Sequence, residues 1–413
     1  MWYHNKLKTV QKGTDYIMNY TFANRISTLQ PSAIREILKF TTIPSVISFA
    51  AGNPAPEAFP CKEVGEIMAD IMQKDPVSAL QYSISEGYTP LRDTMKRYMT
   101  DEHSSFKDFD DLIITSGAQQ VMELSAKALC NEGDTIICEN PSFIGSLNAF
   151  RSLGVNLAGV SVEPDGISVE GLETALKTEK NVRFIYVIPN FQNPTGITMS
   201  LAKRKAVYEL AKKYGVMILE DNPYGDLRFS GEHIGTIKSL DTDGIVIYAG
   251  SFSKVLSPGM RVGYAIAPKE VISKLIVCKQ VSDVHTNILS QLVADRFVND
   301  YDFAGHLVRL KGIYRKKSSL MLSLMEKHLN KAITYNVPEG GLFIWCDLPE
   351  HIDMPGFCKT AVEQNVAVVP GNAFLVDESQ ECHSIRLNFS TPTDEQMIKG
   401  MEMLGVISDK IIG

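Results

Sequence analysis

The sequence predicts an α/β protein with a large unit built on a mostly parallel or mixed sheet and a smaller α+β unit after it, and three observations carry that reading. From about Leu80 to Ala267, short β-branched runs alternate with helical patterns, as they do where strands and helices are laid down in turn. Several of those runs are continuously apolar rather than alternating, which is the pattern of strands covered by helices on both faces. After Pro268 the rhythm changes to long helical stretches and a glycine-punctuated strand pair. The chain has 413 residues, 44% of them hydrophobic and 22% charged, enough for two or three domain-sized units with a large core.

Six strands are expected in order within DLIITSG, DTIICEN, VRFIYVIPN, GVMILEDNPY, GIVIYAGSFS and RVGYAIAP. Among the helices between them, QQVMELSAKALCN repeats Val121, Leu124 and Ala128 at helical spacing, and AKRKAVYELAKKYG stops at Gly215, a residue that terminates helices by adopting positive φ. Beyond Pro268, helices are expected over roughly Lys269 to Asn299 and Phe303 to Asn330, then the strand pair in YNVPEGGLFIWCDL. A helix in MPGFCKTAVEQN, a strand in SIRLNFS and a helix in DEQMIKGMEMLG complete the smaller unit. The amphipathic stretch PSAIREILKF is expected to pack with that unit or over the cleft. Pattern change alone places the boundaries: an N-terminal extension over 1–17, with a second start plausible at Met18, a segment over 18–70 joining the small domain, a large domain over 71–300 and a small one over 301–413.

Composition removes several function classes. The net charge of -7, from 48 acidic and 41 basic side chains without a basic block, argues against nucleic acid as a partner. Seven cysteines without C-x-x-C spacing, most of them in apolar runs, read as buried free thiols in a reducing compartment. No apolar stretch reaches the ~20 residues that span a bilayer, and the first residues lack the apolar core of a signal peptide, so a cytoplasmic protein away from membranes is expected. H-E-x-x-H and G-x-S-x-G are absent, which leaves zinc and serine hydrolases without their residues and predicts no metal.

The chemistry concentrates in SFSKVLSPGMRVGY, directly after the strand GIVIYAG. Lys254 there stands at the carboxyl end of a buried strand, where ligands bind in open α/β sheets, and a desolvated amine is a nucleophile toward carbonyl groups. Ser251, Ser253 and Arg261 around it suit a phosphate, because hydroxyls and a bidentate guanidinium donate to its oxygens. SGAQQ follows a strand and opens a helix, so the backbone N–H groups of Gly117, Ala118 and Gln119 point toward an anion. Arg386 lies inside the apolar strand SIRLNFS, and a buried arginine calls for an acidic partner or ligand.

SFSKVLSPGMRVGY resembles the cofactor-lysine signature of fold-type I, pyridoxal 5′-phosphate (PLP)-dependent aminotransferases. The likeness continues through FQNPTG, EDNPYGDL, SGAQQ, LQYSISEGYTPLR, IRLNFS and FAAGNPAPEAFP, and is nearest to the class I branch holding 2-aminoadipate and kynurenine aminotransferases. It implies a seven-stranded, mostly parallel central sheet and a reaction that moves an amino group from an L-amino acid (2-aminoadipate, aromatic or aliphatic) to a 2-oxo acid such as 2-oxoglutarate. It also implies residue roles. Lys254 would hold the cofactor, Asp221 would pair with the pyridine nitrogen, Tyr224 and Asn193 would bond the phenolic oxygen, and Phe143 would stack on the ring. Arg386 would clamp the substrate α-carboxylate beside Gly52. Ala118 stands where relatives often have a hydroxyl, which removes one phosphate donor. Tyr82 would reach the phosphate of a second subunit, implying a homodimer with shared sites, and Arg35 would read a distal carboxylate. One or both of Asn140-Pro141 and Asn193-Pro194 are expected in the cis form. A PLP-dependent β-lyase on the same scaffold is the alternative. A cofactor-binding regulatory module behind a DNA-binding domain is the other, disfavoured by the short segment before the matched region.

Overall fold

The computed structural model describes residues 20–27, 29 and 45–413. The first strand, β1 (Ile47–Ser48), belongs to the C-terminal unit. A larger sheet follows from β2 (Asp110–Thr115), β3 (Thr135–Asn140), β4 (Asn156–Glu163), β5 (Gly166–Ile167), β6 (Val182–Val187), β7 (Met217–Asp221), β8 (Val246–Ser251) and β9 (Gly263–Pro268). Their spatial order is β2-β9-β8-β7-β6-β3-β4-β5. The strands β4, β3, β6, β7 and β8 run parallel, and β9 lies antiparallel between β8 and β2. The sheet therefore has the seven expected strands plus β5, a two-residue addition paired to the end of β4.

Apolar side chains point both ways from this sheet, as its continuous runs require: Ile136 and Phe184 join one buried cluster, and Ile137 and Ile185 the other. The Leu201–Tyr214 helix shows how local signals set the covering layer. Ser200 caps its start by accepting from the Lys203 N–H, and Gly215 ends it at φ 65°, a left-handed geometry that costs a glycine nothing. The helix expected over Lys269 to Asn299 is two helices, Lys269–Gln280 and Ile288–Asp300. The break has a polar cause: Asp283 accepts from Ser116 Oγ (2.7 Å), Gln120 Nε2 (2.9 Å) and Lys279 Nζ (2.9 Å), and Val284 takes φ 66°. Tying the carboxylate to the start of a neighbouring helix turns the chain out of its own.

The C-terminal unit holds β10 (Thr334–Tyr335), β11 (Phe343–Asp347), β12 (Val366–Ala367), β13 (Val369–Pro370) and β14 (Ser384–Asn388). Its antiparallel sheet has the order β10-β11-β14-β13, and β12 pairs in parallel with β1. The Phe303–His328 helix leads into this unit and packs along the Asp394–Ile412 helix. The expected boundary at residue 70 falls inside the Cys61–Lys74 helix, which packs on the Ile288–Asp300 helix and is tied to it by Arg296 and Asp70, 2.9 Å apart. Among the described residues no helix is long and apolar enough to cross a membrane. All seven cysteines are free, and Cys61 is exposed rather than buried.

A buried ion triad locks the edge of the large sheet. Lys238, whose side chain is fully buried, donates to Asp110 Oδ1 and Asp241 Oδ2 at 2.8 Å each and to the Val246 carbonyl at 3.1 Å. Removing the cation leaves two buried carboxylates facing each other, so Lys238→Met is expected to cost about 3–5 kcal/mol. A fall in the urea midpoint without a change in slope checks this.

Candidate active site

The chain order of the parallel strands reverses at β3 and β6: it steps outward from β3 to β4, then returns to the other side of β3 and continues through β6, β7 and β8. Ligands bind beyond the carboxyl ends of strands at such a switch point. A cavity of about 380 Å³ lies there, and the ends of β7 and β8 deliver Asp221 and Ser251 to it.

Lys254 follows β8 and donates from Nζ to the Gly52 carbonyl at 2.8 Å. Burial pulls its ammonium down to about 8, and the positive charges of Arg386 and Arg261 act in the same direction. Asp221 closes β7 with 4% of its surface exposed. Its Oδ2 lies 2.8 Å from the Tyr186 hydroxyl, whose oxygen is also 2.8 Å from Ser146 Oγ. One phenolic proton serves one acceptor, so Tyr186 donates to the carboxylate and accepts from Ser146. The other carboxylate oxygen, Oδ1, is buried without a hydrogen-bond partner. Burial pushes the Asp221 carboxyl up to about 7, and the Tyr186 hydrogen bond opposes that rise. Tyr224 is buried beside it, and its ring centre lies 5.9 Å from Lys254 Nζ.

Across the cavity β14 delivers Arg386, 3% exposed. Its Nη1 donates to Asn193 Oδ1 at 2.8 Å and its Nη2 to the Ala50 carbonyl at 2.7 Å, while Nε has no partner. The guanidinium lies 4.2 Å from the centre of the Phe343 ring and 4.8 Å from that of Phe374. No carboxylate pairs with it among the described residues. Burial pulls it down to about 10, which leaves it charged at neutral pH.

The opposite end of the cavity is the start of the Ala118–Leu129 helix. Gly117 stands before it at φ 78°, and a Cβ there would lie 2.4 Å from Arg261 Nη2, so only glycine lets the guanidinium close on the helix start. Arg261 also donates to the Ser116 carbonyl at 3.2 Å. Ser251 and Ser253 line the same end. The Gln119 side chain is already engaged, donating to the Gly145 carbonyl at 2.7 Å, so it serves the loop that carries Phe143. Both Asn140-Pro141 and Asn193-Pro194 are cis.

Two expected residues stay apart from this cavity. Tyr82 is 84% exposed, with its ring edge-on to His285 at 5.9 Å, and lines no part of the cavity within its own chain. Arg35 lies outside the described residues. Conversely, the sequence reading misses Tyr186, Ser146, Phe343 and Glu139. Glu139 is buried, is pushed up to about 8 chiefly by burial, and accepts from the Ile188 N–H at 2.9 Å and Gln192 Nε2 at 3.3 Å, holding the segment that leads to Asn193. A charged residue directly after the apolar run TIIC is the one signal that could have marked it.

Similarity to known proteins extends over nearly the whole chain. The family model described as aminotransferase class I and II matches residues 44–404. Aromatic-amino-acid aminotransferase 1 of Thermococcus litoralis is 38% identical over 387 residues, covering 93% of both chains. Kynurenine aminotransferase of Pyrococcus horikoshii, solved in complex with PMP, superposes with a TM-score of 0.91 at 34% identity over 95% of this chain and 98% of that one. The α-aminoadipate aminotransferase of Thermus thermophilus, complexed with N-(5′-phosphopyridoxyl)-L-leucine, gives a TM-score of 0.87 at 35% identity over the same shares. With family model, relatives and fold in agreement, this chain belongs to the class I and II aminotransferases and works with pyridoxal 5′-phosphate.

Proposed function

We propose that the cavity holds PLP with its phosphate at the start of the Ala118–Leu129 helix, its pyridine nitrogen at Asp221 and its carbonyl carbon at Lys254, and that the donor amino acid binds by its α-carboxylate to Arg386. The observation that carries this reading is the unsatisfied pair, Asp221 Oδ1 and Arg386 Nε, buried on either side of a depressed lysine. A protonated ring nitrogen satisfies the first and a carboxylate the second. When bound, the cofactor supplies an electron sink for charge that develops at the substrate Cα.

The residues then divide the work. Arg386 and Asn193 orient the donor, Phe143 covers the ring face, and Tyr224 and Asn193 serve the phenolic oxygen. Arg261, Ser251 and Ser253, with the backbone N–H groups of Gly117, Ala118 and Gln119, hold the phosphate. Lys254 would hold the cofactor and, as a free amine, would accept the proton from the substrate Cα. The lysine comes from the large sheet and Arg386 from the C-terminal one, so we assign residues 71–300 to a large domain and 301–413 to a small one that close on the substrate.

We infer a broad donor range of aromatic, aliphatic and 2-aminoadipate side chains, with 2-oxoglutarate as acceptor. Met122, Ile144, Ile188 and Phe343 supply apolar walls, and the relatives described above carry aromatic, kynurenine and α-aminoadipate names. Exposed Val77, Leu80, Tyr82, Val281 and Val284 support a homodimer in which Tyr82 serves the partner's site. The test is a half-reaction: single amino acids are added to cofactor-loaded enzyme without an oxo acid while the visible cofactor band is followed. Loss of the band with one oxo acid released per site ranks the donors. A band that persists while ammonia and pyruvate accumulate means a β-lyase.

Tyr186 gives an independent check of the Asp221 assignment. Tyr186→Phe keeps the buried ring and deletes the hydroxyl, and a hydrogen bond to a charged group contributes about 1.5–3 kcal/mol. The expected result is a fall in kcat of roughly ten-fold or more with KM little changed, read by steady-state kinetics.

A further inference from the structure

Directly after Tyr224 the chain makes a short turn over Gly225–Leu227 and runs beneath the Phe303–His328 helix. A second cavity opens there, of about 660 Å³ against 380 Å³ for the catalytic one. Its wall carries the cationic side chains of Arg228 and, from the long helix, Lys311 and Arg315, together with the imidazoles of His103 and His233. Against them stand Glu102 and Asp226. Asp226 is already engaged by the Tyr98 hydroxyl at 3.0 Å and by His103 Nε2 at 3.5 Å.

Arg228 Nη2 is buried without a hydrogen-bond partner. Leaving such a donor unsatisfied is costly. Burial, with the charges of His103 and Arg228 adding to it, holds His233 below its usual value, as a locally positive field does. Positive side chains converging from two segments on an open cavity match a ligand that is compact, several times negative and rich in oxygen acceptors.

We propose that this cavity is a second binding site, for a small multivalent oxyanion of the phosphate or polycarboxylate class, distinct from the catalytic pocket. Its occupant has a physical route to the catalytic residues. Arg228 lies 4.9 Å from the centre of the Phe191 ring, in the same loop as Asn193, and is paired with Glu339. An anion that competes with Glu339 for Arg228 moves the support of that loop.

The test is calorimetric titration of cofactor-loaded enzyme at low ionic strength, with inorganic pyrophosphate and citrate as separate probes. At least one probe is expected to bind once per chain, with affinity at least about ten-fold weaker in Lys311→Ala and in His233→Ala, since each removes one charged or polar contact. Both positions are at least partly exposed, so these variants are expected to fold. Binding of pyrophosphate alone assigns the phosphate class, and binding of citrate alone the polycarboxylate class. Silence from both probes, or binding that Arg386→Gln removes and Lys311→Ala leaves intact, overturns the proposal.

Discussion

Lys254→Ala is expected to lower kcat/KM by at least about 10³-fold, because it removes both the attachment point and the proton carrier, and positioned acid–base groups alone contribute 10²–10⁴-fold. Only one nitrogen in the cavity can both attack a carbonyl and carry a proton. Arg261 and Arg386 also line the cavity, but guanidinium groups stay protonated and cannot accept a proton. Lys254 differs because burial brings it to about 8. At pH 7 roughly one such amine in ten is neutral, against roughly one in three thousand for an unshifted lysine. A depressed lysine is charged below its pKa and neutral above it, so the rate at which cofactor-free enzyme takes up PLP should climb as pH rises through about 8 and level off beyond. Stopped-flow absorbance across pH 6–10 measures this, and Lys254→Arg should not restore it. Wild-type turnover in Lys254→Ala would falsify the assignment.

Lys254, Asp221 and Arg386 are legible in the sequence because each follows, ends or occupies an apolar run, which places it just beyond a strand, at its end or inside it. The phosphate end is legible because a glycine and a helix start leave a local mark. What escapes is made by contacts between distant segments. Tyr186 is one more apolar residue in VRFIYV until folding puts its hydroxyl against Asp221, 35 positions away. Strand β4 escapes too, since NLAGVSVE has one buried residue, Val160, and offers no continuous apolar run. The helix break at Val284 depends on Asp283 reaching Ser116, more than 160 positions earlier. Local periodicity contains none of these facts, because the energy that decides them comes from the partner segment.

Arg386→Gln tests the other half of the site, and the expected loss is about 2–5 kcal/mol of transition-state binding, or roughly 30- to 5,000-fold in kcat/KM. A lone buried guanidinium is expensive, and here two phenyl rings, one amide oxygen and one backbone carbonyl are its company. That surrounding stabilises the cation without neutralising it. An incoming α-carboxylate supplies the missing charge and fixes the Cα–H bond relative to Lys254. Arg386→Lys keeps the charge but loses the planar fork, so it should recover only part of the activity. A structural role alone would also reduce activity through unfolding, and a pair of donors separates the cases. Wild type should strongly prefer phenylalanine to phenethylamine, which has the same side chain and no carboxylate. In Arg386→Gln that preference should collapse, because the discriminating contact is gone. An unchanged ratio together with lowered stability would place Arg386 in the scaffold instead.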